Sequence, residues 1–199
     1  MKKALFMAGF ALAAFVTNAQ KVSFGVKAGA NFSTVKTNDE NFNDERAMRT
    51  TYHAGLVTDF SVSPNFSIQP HLLIQGKGVS LEHDGHKDRF KFTSLDIPVN
   101  LLYKSSGFFI GGGPNLGINL DGKLVAEDDP AENFDFEFGS DEGQIKRINF
   151  GVNLLTGYRL KNGLFFSGNY LAGISNWSNS SNDKWRNNLF GISVGYMFK

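Results

Sequence analysis

Gly191-Ile192-Ser193-Val194-Gly195 has the spacing Gly-x-Ser-x-Gly that mounts a serine nucleophile on a sharp strand-to-helix turn. That chemistry needs a helix, an acid and a histidine downstream, and only Tyr196, Met197, Phe198 and Lys199 follow. Ser193 is therefore read as a strand residue. His83 and His86 stand three apart in Glu82-His83-Asp84-Gly85-His86-Lys87-Asp88, a spacing open to metal ligation. No regular element fixes their geometry, so the stretch reads as a solvated loop. Gly111-Gly112-Gly113-Pro114-Asn115-Leu116-Gly117 suggests a phosphate loop but lacks the lysine and helix such a loop requires. Asp121, Glu127, Asp128, Asp129, Glu132, Asp135, Glu137, Asp141 and Glu142 crowd residues 121–146 without the ordered ligand series of an EF-hand. A divalent cation bridging these carboxylates to an anionic surface glycolipid stays open, against the simpler reading of a solvated acidic loop. With no cysteine, disulfides and thiolate metal sites are excluded. The chain is expected to carry no catalytic residue, no metal and no cofactor.

A different polar set recurs at every second position of apolar segments: Lys27, Asp59, His71, Lys77, Asp96 and Arg159. Side chains alternate between the two faces of a strand, so these six share the face opposite the bulky residues. Their plain role is mutual pairing in a polar interior. A proton or solute path, or catalysis at a rim, is the functional alternative.

The elements that position them are eight alternating segments. They run over 22–33, 51–62, 66–78, 91–104, 107–120, 147–160, 164–176 and the C-terminal stretch from Leu189. In the last, Phe190, Ile192, Val194, Tyr196 and Phe198 alternate with Gly191, Ser193 and Gly195. No helical period appears after the N-terminus. The links Ser63-Pro64-Asn65, Ser105-Ser106 and Lys161-Asn162-Gly163 are tight turns, whereas 34–50, 79–90, 121–146 and 177–185 are long and polar. Alternating short and long links mark an up-and-down membrane barrel with short periplasmic turns and long outer loops. The expected fold is all-β, an eight-stranded antiparallel up-and-down transmembrane β-barrel.

A soluble lipocalin-like barrel also alternates, but it puts apolar residues inside. Here the bulky face is uniformly apolar, and the other mixes glycine with charge, which suits a narrow polar lumen and a lipid belt. Strands of roughly 12 residues exceed the ~9–11 needed to cross tilted. Pro70, Pro98 and Pro114 fall inside strands of a sheet without edges, so each is expected at a bulge or strand end.

Residues 1–19 have the pattern of a cleaved secretory signal: Lys2 and Lys3, an apolar run from Ala4 to Val16, then Thr17-Asn18-Ala19. Residues 20–199 then form the barrel domain. The whole chain has 20 basic and 19 acidic residues, and removing the signal leaves it nearly neutral, with no warrant for nucleic-acid binding. Trp177 and Trp185 flank the last outer loop and are expected at the membrane–water boundary. Tyr196 and Phe198 mark the closing strand as the assembly strand.

The chain resembles the PorT-like outer-membrane β-barrel proteins, the "porin family". The likeness runs through Gly25-Val26-Lys27-Ala28-Gly29, Ile68-Gln69-Pro70 and the segment from Ser94-Leu95-Asp96-Ile97-Pro98 to Lys104. It continues in Gly112-Gly113-Pro114-Asn115-Leu116-Gly117, Gly151 to Tyr158 and Tyr170 to Ile174, and the prolines fall where that family carries prolines. The resemblance implies a barrel in the cell outer membrane and supplies no substrate. The expected role is structural or interaction-based, through outer loops that meet a surface glycolipid or protein partner. Outer-membrane lipids and the barrel assembly machinery are the other expected partners. A small-solute channel, a lipid-modifying barrel enzyme and a soluble lipocalin-like binder are the alternatives.

Overall fold

A computed structural model of the chain describes residues 21–83, 86–127, 131, 133–180 and 184–198. The signal segment 1–19 lies outside the described residues, as do Asp84, Gly85, Asp128, Asp129, Glu132 and Lys199. Eight long strands close into a ring: β1 (Val22–Lys36), β2 (Arg49–Ser61), β3 (Phe66–His83), β4 (His86–Ser105), β5 (Phe108–Ala126), β6 (Ile148–Arg159), β7 (Leu164–Gly173) and β8 (Arg186–Met197). Each pairs antiparallel with its sequence neighbour, and β1 pairs with β8 from Gly25↔Met197 to Lys36↔Arg186, which closes the barrel.

The orientation of the faces separates a membrane barrel from a soluble one. Phe24, Leu56, Leu101, Phe150 and Leu154 are each between 56 and 61% exposed on the outside. Asn31, Asp96, Asn100 and Asn119 are fully buried inside. Apolar outside and polar inside is the membrane arrangement, and it overturns the lipocalin-like alternative.

The short connections are tight. Ser106 and Gly107 both have positive φ (51° and 90°), the conformation a two-residue hairpin turn demands, and glycine meets it without strain. Two features depart from expectation. The link 79–90 is mostly strand, because β3 and β4 stay paired from Gly78↔Lys91 to His83↔His86. Likewise β5 continues to Ala126, and the two-residue segment Phe134–Asp135 pairs onto it through Leu124 and Lys123. Along these ladders Val79 and Phe92 are still packed inside.

The prolines are also a correction. Register is unchanged on either side of Pro70 (Gln69↔Asn100 and Leu73↔Asp96) and of Pro98 (Ile97↔Leu116 and Leu101↔Gly112). Pro114 sits in an unbroken pairing with Val152. Each proline costs a local ladder bond without shifting the strand. The register shift lies instead between Thr93 and Ser94, where Leu120 is the extra residue of β5.

Candidate functional site

The lumen is filled in layers from its outer mouth inward. The outer loops fold onto one another as an aromatic cap. Trp177, only 1% exposed, meets Phe92 edge-on with ring centres 5.2 Å apart. Trp185 packs against Phe42 of a short helix, Glu40–Glu45, and against Phe90, at 5.5 and 5.6 Å. Phe136 stacks on Phe90 and Phe92, and Ile145 is buried beside them. Backbone bonds tie the loops together: Lys146 N–H donates to Trp177 O at 2.7 Å, and Trp177 N–H to Trp185 O at 2.8 Å. The two tryptophans thus close the mouth and do not anchor the boundary. Aromatics that do face outward near the periplasmic turns are Phe66 against Tyr103, at 5.4 Å, and Tyr196 against Phe198, at 5.7 Å. Tyrosine and phenylalanine supply that girdle.

Beneath the cap lies a buried ion pair. Lys77 Nζ is 2.7 Å from Asp96 Oδ1, and both side chains are 1% exposed. Asn115 Nδ2 donates to the same oxygen at 2.7 Å, Ser94 donates to the other, and the Trp177 ring lies 5.7 Å from the ammonium. The fit is that of a charge pair whose remaining hydrogen-bonding capacity is met by neighbours, the condition under which burial is tolerated.

The middle of the lumen is made of amides. Asn153 donates to Asn100 at 2.7 Å, and Asn149 donates to Asn119 at 3.3 Å. His53 Nδ1 lies 2.7 Å from Asn31 Oδ1, and its Nε2 lies 2.8 Å from Ser193 Oγ. Ser193, His53 and Asn31 therefore form a hydrogen-bonded line with the connectivity of a nucleophile, a base and an orienting group. The spacing argument at Ser193 did not foresee a histidine from β2. Yet all three are buried, and the serine faces packed amides inside the barrel.

Toward the periplasm, Asp59 accepts from Lys104 Nζ at 3.0 Å, from Gln69 Nε2 at 3.0 Å and from Ser67 Oγ at 3.4 Å. His71 Nε2 lies 2.9 Å from Gln69 Oε1. Val57, Leu102, Phe109, Leu155, Phe165 and Met197 then pack into an apolar plug at this end. Room for the Phe165 ring comes from Gly195, whose absent side chain would collide with it. Of the six residues expected in the lumen, Lys77 and Asp96 pair with each other, and Asp59 and His71 are joined through Gln69. Lys27 is buried apart, and Arg159 stands half-exposed at the periplasmic rim. The asparagines, His53 and Lys104 complete the network. They occupy the inward face to which the same two-residue alternation assigns them.

For metal ligation, the described residues contain no cluster of three or more carboxylates or histidines. Asp84 and three of the acidic residues of 121–146 lie outside the described set, so both metal questions are open there.

The model of the outer membrane protein beta-barrel domain matches residues 18–179. The chain belongs to that family. It is an outer-membrane protein, consistent with its apolar exterior. No curated protein sequence matches it. Among solved structures the barrel is similar to Neisserial surface protein A (12% identity, TM-score 0.55), with 89% of this chain and 99% of that one covered. It is also similar to the attachment invasion locus protein Ail of Yersinia pestis (11%, TM-score 0.51, 89% and 99% covered). A third is the outer membrane protein OprG from Pseudomonas aeruginosa (14%, TM-score 0.51, 91% and 98% covered). At such identities the likeness is one of fold.

Proposed function

We propose that this barrel is a structural and interaction protein of the outer membrane, of the PorT-like kind, and not a conduit or an enzyme. The observation that carries the reading is the double closure of the lumen. The aromatic cap around Trp177 fills one end and the plug around Phe109 and Phe165 fills the other. An eight-stranded interior is narrow enough for side chains to fill it, and here they do. What the protein presents is then its outer surface: the extended β3–β4 and β4–β5 ladders and the loops that cap them. Their occupant is proposed to be a surface glycolipid or protein partner, with Asp135, Glu137, Asp141 and Glu142 exposed or half-exposed on the acidic loop.

Photocrosslinking from Glu137 or Glu142 in native membranes is expected to capture one discrete species, and crosslinks spread evenly over abundant envelope proteins would count against the reading. The Ser193–His53–Asn31 line is read as lumen packing, since burial denies a substrate access. A fluorophosphonate probe should therefore leave the folded barrel unlabelled; labelling lost in Ser193→Ala would make it an enzyme.

A further inference from the structure

The periplasmic half of the lumen contains a small enclosed space whose lining carries more positive than negative charge. Its volume is about 20 Å³, enough for one water-sized body or a monatomic ion. Lys27, Asp59, Gln69, His71, Lys104, Arg159 and Ser167 supply the polar part of the wall. Asp59 is the sole carboxylate lining it, and its oxygens are engaged by Lys104, Gln69, Ser61 and Ser67. Among the described residues Lys27 has no ion-pair partner, although the side chain is only 4% exposed. Ser167 Oγ is buried without a hydrogen-bond partner among the same residues. A buried ammonium and a buried hydroxyl are both costly when unmatched, and here both line the same space. Arg159 adds a third cation to Lys27 and Lys104, facing inward from β6.

On one side the space shares a wall with a larger recess. Lys104, Phe109 and Arg159 also line that recess between the periplasmic turns, with Ser61, Asn65 and Ser106 on its walls. An anion drawn to the rim by Arg159 would pass the shared wall at Phe109 to reach Lys27 and Ser167. The Trp177 cap and the amide-filled middle of the lumen lie beyond.

We infer that the periplasmic half of the barrel holds a small-anion site, with chloride as the size class, formed by Lys27, Ser167 and Arg159 and entered from the periplasm. The ion would be held by the ammonium and guanidinium charges and a hydrogen bond from the serine hydroxyl. It would stay on its own side of the membrane. The site is thus distinct from a channel, and it can fail while the closed-barrel reading stands.

The test is thermal unfolding of the full refolded barrel in detergent, with sodium chloride compared against sodium gluconate at equal ionic strength. Wild type should show a saturable rise in midpoint with chloride. Lys27→Met should lose that rise while folding normally, since it removes an unmatched buried charge and keeps the chain length. Ser167→Ala should need more chloride for the same rise, and it carries the test should Lys27→Met fail to fold. A midpoint equal in both salts, or the same chloride response in wild type and variants, would overturn the site.

Discussion

Asp96→Ala should destabilise the barrel by about 3–5 kcal/mol, the range for breaking a buried ion pair from one side. The cost comes from what is left behind. Lys77 Nζ would lose its 2.7 Å partner in a place where neither side chain reaches solvent. Asn115 would lose the acceptor of its 2.7 Å bond as well. The Trp177 ring offers the ammonium only a cation–π contact, worth roughly 2 kcal/mol when desolvated. That falls short of the carboxylate. Replacing both partners, as Lys77→Met with Asp96→Leu, should recover the part of the loss that comes from the unpaired ammonium, while Asn115 and Ser94 still lack their acceptor. Urea unfolding followed by heat-modifiable gel mobility reads all three variants. A single substitution no more costly than the double one would mean that the pair does not stabilise the lumen.

The second large effect is at the seam. Deleting residues 194–199 should abolish assembly, because those residues pair with Gly25, Val26, Lys27 and Ala28 on one side and with Leu164, Phe165 and Phe166 on the other. Hydrocarbon offers no water to the bared N–H and C=O groups, and each unsatisfied group costs several kcal/mol there. Met197 also leaves the periplasmic plug. The expected result is loss of the protein from the outer-membrane fraction. Phe198→Asp is a milder physical insult. Phe198 lies just past the end of β8, half-exposed against Tyr196, where a charge costs only ~0–1 kcal/mol. If that variant also fails to assemble, Phe198 acts in recognition by the assembly machinery and not in stability. A normal heat-modifiable barrel after the deletion would contradict the closing role of β8.

How much of this was legible beforehand differs by level. Two-residue alternation is a local property, and it placed all eight strands and the polarity of both faces. It could not say where the ladders end. Val79 to Phe90 looks like a polar loop, although Asp84-Gly85 is a dipeptide that favours tight hairpins. Glu82 and Lys87 are polar, yet the ladder still pairs them. The tryptophans were misplaced for a related reason. Position along the chain puts Trp177 near the boundary, but only the folding of three loops together turns it inward over Phe92 and Lys77. Pro98 misled because proline rules describe the lost donor, whereas a barrel strand can lose one bond and hold its register through the neighbours on both sides. Partner choice inside the lumen is set mostly between strands, although Gln69–His71 and Ser94–Asp96 meet within one strand. Asp96 meets Lys77 and Ser193 meets His53, whereas Lys27 meets no ion-pair partner among the described residues, and the stagger of the strands decides which of these occurs.

The claim on which the account rests is that the lumen is closed at both ends. Purified, folded protein in planar bilayers tests it most directly, with insertion verified by protease protection. A lumen closed at both ends should leave the membrane silent at moderate voltage. Discrete, reproducible conductance steps that scale with the number of inserted barrels would contradict it.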